Sequence, residues 1–246
     1  MATMQQKGLV GLTAFMLAAL AVLLGLGFWQ LSRMHWKQGL IAQIETRAKG
    51  APITLEEAEA LAGEGRDPSY FRVSVEGRFH HAKEHYLYAV SDGRVGWHVI
   101  TPLETADGQM VLVDRGFVPD ELRGPSSRPD GQIESVTTVT GIVRAPDRQA
   151  LFTPDNEPAA NRWFWRDLHA MSRSMFQQRL IEVAPFFLEA DNTPVPGVWP
   201  EGGQTRLDIP NNHLQYALTW FLLAAGLLIV YAVYLRSLYR GRKSLE

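Results

Sequence analysis

The sequence predicts an α+β membrane protein, with two transmembrane helices flanking an antiparallel, β-rich, barrel-like extracytoplasmic domain that carries short helices. Three observations lead there. Two uncharged runs of 22 residues stand near the ends of the 246-residue chain, Gly8–Trp29 and Leu214–Leu235. The stretch between them alternates apolar and polar residues with a period of two from Phe71 onward. Turn-forming pairs punctuate that stretch at short intervals.

The two runs come first because the average conceals them. Mean hydropathy is only −0.11, the value of a soluble domain, yet each run reaches the roughly 20 apolar residues that a bilayer-crossing helix needs. Aromatic residues suited to the membrane interface sit at the ends: Phe28 and Trp29 on the first, Tyr216, Trp220, Tyr231 and Tyr234 on the second. The first run exceeds the usual apolar core of a signal peptide, and Gln30-Leu31-Ser32-Arg33 offers no small-residue cleavage site, so an uncleaved anchor is expected. Charge sets the orientation. Lys7, Arg236, Arg240, Arg242 and Lys243 flank the runs, and the 182 residues from Ser32 to His213 hold the other 19 Lys+Arg against 25 Asp+Glu, a net −6. Short basic flanks stay inside. The expected organisation is therefore a cytoplasmic N-terminus 1–7, a first span 8–31, an external domain 32–213, a second span 214–235 and a basic cytoplasmic tail 236–246. With no Arg-rich presequence before Gly8, a bacterial cytoplasmic membrane with a periplasmic domain is expected rather than a mitochondrial one.

Within the external domain, LIAQIETRAKG continues the first helix to a stop at Gly50. Thr54 followed by Glu56 and Glu57 is the cap and acidic first turn of a short helix ending near Gly63. Six strands follow: FRVSVEGRF, HYLYAV, VGWHVITPLE, MVLVDRGFVP, SVTTVTGIVRA and LIEVAPFFLEA. Asp167 caps a helix, LHAMSRSMFQ, between the fifth and sixth. The Pro- and Gly-rich segment Asn192–Pro210 returns the chain to the membrane.

Composition removes several functions. With no cysteine, disulfides, thiolate metal sites and thiol catalysis are excluded. A net charge of −2 argues against nucleic acid as a partner. No phosphate-binding, dinucleotide-binding, metalloprotease or serine-hydrolase motif occurs, so no enzyme activity is expected. His80, His81 and His85 cluster, but no carboxylate or Cys completes a recognisable ligand spacing.

The membrane borders carry more. Trp29, Gln30, Arg33, Trp36 and Lys37 share one helical stripe, and His213, Tyr216, Ala217 and Trp220 share another. In antiparallel spans the two stripes lie at one depth. Together they suit a planar, amphipathic, anionic ligand: His213 to ligate iron, Trp29, Trp36, Tyr216 and Trp220 to cover a ring, Arg33 and Lys37 to meet carboxylates. The same residues also suit a plain aromatic belt with snorkelling cations in contact with membrane lipid.

Blocks along the chain resemble one family. Leu26–Lys37 (LGFWQLSRMHWK) is similar to the LGxWQxxRxxWK opening of the surfeit locus protein 1 family of cytochrome c oxidase assembly factors. Phe79–Glu84, Gly96–Leu103, Val113–Pro119, Val139–Arg144, Asn161–Asp167 and Asn211–Phe221 resemble its later blocks in order, with Asp114 and Phe117 departing from Asn and Trp. The resemblance implies a non-catalytic biogenesis factor that binds haem a, with haem a synthase as donor and oxidase subunit I as recipient. It implies His213 as the axial ligand to the haem iron and places Arg33 and Trp36 on family positions. Gly116 reads as structural. The alternative is a scaffold that holds an oxidase assembly intermediate through exposed strands and aromatic patches such as Trp163–Trp165, without haem.

Overall fold

A computed structural model describes residues 2–177, 181–205 and 207–243, with the side chains of residues 2–7, 239 and 241–243 outside the description. The charged flanks Lys7, Arg242 and Lys243 therefore lie outside the described side chains. The chain divides into two compact units, Met1–Gln43 with Asp208–Glu246, and Ile44–Leu207.

The first unit is a pair of helices, α1 (Ala2–Lys49) and α4 (His213–Lys243). Gly8–Lys49 and His213–Leu238 are long and apolar enough to cross a membrane. Their outward faces are apolar, with Phe15, Val22, Phe28, Leu222, Ile229 and Val233 exposed, as lipid-facing helices are. The helices run antiparallel, because contacts that climb α1 descend α4. Thr13 Oγ1 lies 2.5 Å from the Tyr231 hydroxyl, Phe28 meets Phe221 edge-on at 5.4 Å, and the Asn211 amide donates to the Met34 carbonyl at 3.4 Å. Gly27 makes the close approach possible, since a Cβ there would sit 2.5 Å from the Phe221 ring. Small residues perform this role where membrane helices pack; Ala217 and Ala224, both buried, do so on α4.

The second unit contains the last turns of α1, where Ile44 and Ala48 are buried and Arg47 donates to the carbonyls of Asp67 and Ser69 at 3.2 Å. The short helix is α2 (Leu55–Gly63), closed by the capping box in which the Thr54 hydroxyl accepts from the Glu57 amide and the Glu57 carboxylate accepts from the Thr54 amide. All six expected strands form: β1 (Arg72–Phe79), β2 (His85–Ser91), β3 (Arg94–Glu104), β4 (Met110–Pro119), β5 (Thr137–Arg144) and β7 (Val183–Ala190). Leu180, the first residue expected in the last of them, lies outside the described residues. The second helix is α3 (Leu168–Phe176), its first turn capped by Asp167 accepting from the Ala170 amide.

With β6 the two-residue strand Arg162–Trp163, the sheet order is β1-β5-β7-β4-β3-β2-β6, and a further pairing of β1 with β3 closes the first five of these into a ring. Closure removes the open edges that a flat sheet would present. Two features differ from the sequence expectation. A seventh strand, β6 (Arg162–Trp163), pairs with β2; two residues are too few to show any period. Two pairings, β4–β7 and β2–β6, are parallel rather than antiparallel. Parallel neighbours need a long connection, and here β5, β6 and α3 all intervene between β4 and β7. The core is aliphatic and aromatic, with Val73, Leu103, Val111, Val113, Phe186 and Leu188 buried in one cluster and Ile100, Leu112, Trp163, Met171 and Phe187 in another.

Trp163 is fully buried and stacks on His85 at 5.1 Å. Trp163 is therefore not the exposed aromatic contact that a scaffold reading assigns to Trp163–Trp165: a fully buried ring has no surface to offer a partner.

Candidate functional site

Each unit holds polar residues that its sequence period alone does not explain, one constellation in the helix pair and two in the β unit. In the helix pair it lies at the head of α4. The His213 ring is half-buried, and its Nδ1 stands 2.6 Å from Oε1 of Gln30 on α1. An amide oxygen only accepts, so in this hydrogen bond Nδ1 is the donor. Asn211, two residues earlier, donates through Nδ2 to the Met34 carbonyl, and its Oδ1 is buried with no hydrogen-bond partner.

The helical stripe read from the sequence separates into two sides. Gln30 and Lys37 are half-buried together with Met34, whereas Trp29, Arg33 and Trp36 are exposed. The Arg33 guanidinium lies over the Trp36 ring at 4.2 Å. On α4, Ala217 is buried and Trp220 half-buried, while Tyr216 is exposed. Among the described residues no hydrogen bond, ion pair or ring contact joins Trp29, Lys37, Tyr216 or Trp220 to His213. Gln30 lies on the stripe that the spacing defines, but the sequence assigns it no role. Nothing local marks it as the partner of a residue 183 positions away.

In the β unit, β4 carries Asp114 and Arg115 side by side, and alternation sends them to opposite faces. Asp114, almost wholly buried, receives His98 Nδ1 at 2.9 Å, Arg166 Nη2 at 3.0 Å and the Gly116 amide at 3.1 Å. Burial opposes ionisation, but the charges and hydrogen bonds of His98 and Arg166 hold its carboxyl down at about 2. Burial likewise disfavours charge on His98, and the Asp114 carboxylate overrides it, raising the imidazole above 6.5. Arg166 continues to Glu189 at 2.6 Å, and the Thr205 hydroxyl donates to that carboxylate at 2.6 Å. On the other face, Glu84 is buried between Arg115, Arg128 and His81. Burial there brings the Arg115 guanidinium down to about 10. Among the described residues no hydroxyl is hydrogen-bonded to His98, so this cluster assembles no nucleophile–base pair.

The three clustered histidines disperse. His80 Nε2 meets Glu104 at 2.6 Å, His81 lies between Glu84 and the Ile133 carbonyl, and His85 packs in the core with both ring nitrogens unpartnered.

Two helices long and apolar enough to span a membrane, with a polar constellation between them, and a closed β unit between them in sequence define a membrane-anchored barrel protein, with no catalytic centre assembled among the described residues. The chain matches the SURF1 family over residues 17–225 and belongs to it. It is 38% identical to surfeit locus protein 1 of Mus musculus over 86% of this chain and 72% of that protein. Against surfeit locus protein 1 of Homo sapiens the identity is 37% over 82% of this chain and 70% of that protein, and against a SURF1-like protein of Monosiga brevicollis it is 34% over 96% and 92%. Membership implies a part in cytochrome c oxidase assembly.

Proposed function

We propose that the protein is a carrier of haem a that holds its cargo at the head of α4 through His213 and passes it to oxidase subunit I, with haem a synthase as the source. The observation that carries this reading is the 2.6 Å bond between His213 Nδ1 and Gln30. With Nδ1 engaged as donor, Nε2 is the ring nitrogen available to iron. Side chains at the same end of the two helices offer groups for the remainder of the ligand. Trp29, Trp36 and Tyr216 present exposed rings, Trp220 lies one turn beyond Ala217, and Arg33 and Lys37 offer cations for the propionate carboxylates. Haem a supplies an iron that accepts such a nitrogen and two carboxylates at the ring edge. A single side-chain ligand suits release as well as capture. The charge asymmetry of the flanks supports both termini inside and the β unit outside, and we take the membrane to be a bacterial cytoplasmic one with the β unit periplasmic.

Purification from cells that make haem a, followed by absorption spectroscopy, tests the reading. The wild-type protein is expected to carry a haem a spectrum, and His213→Ala to lose most of it. An unaltered occupancy in His213→Ala removes His213 from the role. A wild-type protein that co-purifies with oxidase subunits yet carries no haem replaces the carrier with the scaffold.

A further inference from the structure

We infer that Gln30 is a positioning residue that sets the tautomer of His213, holding the proton on Nδ1 and turning the Nε2 lone pair outward. The purpose of that lone pair rests on the haem-carrier reading; the tautomer itself does not. An imidazole free in water favours the proton on Nε2, so a histidine held in the other form needs an acceptor at Nδ1. The Gln30 Oε1 atom supplies one at 2.6 Å, a short contact for an N–H donor.

Both ends of this bond are held in place. On α1, Gln30 stands one turn from Gly27, whose lack of a side chain lets the Phe221 ring close on the helix. On α4, His213 stands one turn from Ala217, which is fully buried. The Asn211–Met34 bond ties the chain just before His213 to α1 one turn beyond Gln30. Helix register therefore fixes Gln30 against His213, and local chain flexibility cannot easily break the pair.

The choice of an amide has a chemical consequence. Metal-binding histidines commonly donate their second N–H to a carboxylate or carbonyl, which orients the ring and raises its basicity. A neutral amide oxygen orients the ring as a carboxylate would, but it pushes less electron density into it. The result is a well-aimed but moderate ligand, as a protein that must release its cargo requires.

The test uses the full-length protein in detergent micelles, free of haem, with histidine labelled with nitrogen-15. Two-bond proton–nitrogen correlations at pH 8 distinguish a protonated from an unprotonated ring nitrogen, and His213→Ala identifies the His213 signals. The expected pattern is a protonated Nδ1 and an unprotonated Nε2. Gln30→Leu is expected to move His213 to the Nε2-protonated form, and Gln30→Glu to retain the native one. A wild-type Nε2-protonated form, or a Gln30→Leu spectrum identical to wild type, overturns the inference. Circular dichroism of Gln30→Leu guards against misfolding; should that variant not fold, the wild-type and Gln30→Glu tautomers decide. With haem present, Gln30→Leu is expected to weaken retention about 10- to 100-fold, the usual effect of removing such an outer partner. Haem retained in His213→Ala defeats the ligand reading while leaving the tautomer to stand on its own spectrum.

Discussion

Asp114 and Arg115 occupy consecutive positions on β4, and each is buried in a charge cluster of its own. Buried ions are tolerated only when paired, and removing one member strands the others. Asp114→Ala leaves His98 and Arg166 facing each other without their common carboxylate; a loss of about 3–5 kcal/mol in unfolding free energy is expected, measurable by urea titration in detergent. The pH dependence has two arms of opposite sign. The Asp114 carboxyl is held near 2, below its ordinary 3.8, so its contribution is present above pH 4 and is lost as pH falls through 2. His98 is held above 6.5, so its contribution is present below 6.5 and is lost as pH rises through the higher folded value. The urea midpoint is thus expected to fall as pH rises above 6.5 in the wild-type protein, and the fall to be smaller in His98→Gln. A midpoint equally steep in both proteins excludes His98 as the cause.

Among the elements, the segment after β7 is the one whose path the sequence leaves unmarked. It crosses back over β4: the amides and carbonyls of Phe117 and Glu201 exchange two hydrogen bonds of 2.9 Å, Gly203 donates to Ala190 at 2.9 Å, and Thr205 reaches Glu189. Gly116 makes the crossing possible. Its φ of +116° is closed to ordinary side chains, and a Cβ there would run into the Glu201 carbonyl. Gly116→Ala is expected to cost roughly 1–3 kcal/mol, the scale of a strained backbone position. Hydrogen exchange would show faster loss at the Phe117 and Glu201 amides with little change at the β3–β4 ladder. Protection unchanged at those two amides would mean that the segment is held from elsewhere.

At the scale of the molecule, the helices and the β unit are solvated differently. The helix pair exposes aliphatic and aromatic side chains along its length, whereas the β unit has closed its ring and buried its own core. A polypeptide of residues 44–207, the full extent of that unit, is therefore expected to fold and remain monodisperse without detergent, with a strand-rich circular dichroism spectrum and no haem. The full chain is expected to need detergent. Aggregation of 44–207 under conditions where the full chain is stable in micelles would show that the β unit depends on the helices.

Local pattern was enough to specify the elements of this protein. Uninterrupted apolar runs identify α1 and α4, period-two alternation identifies six strands, and Thr54, Glu57 and Asp167 mark helix starts within a residue, because each of these signals arises from neighbours in the chain. The family blocks likewise pointed to His213 and to Arg33 and Trp36 by position. Long-range pairing decided the remainder. Ring closure through β1 and β3, the parallel placement of β7 beside β4, and the two-residue strand β6 depend on partners far away in sequence, and no local period encodes them. The same holds at the two polar constellations. Asp114 meets Arg166 across 52 residues, and Gln30 meets His213 across 183. Sequence names the residue types able to make such bonds; only packing the helices and closing the sheet brings a particular donor within 3 Å of a particular acceptor.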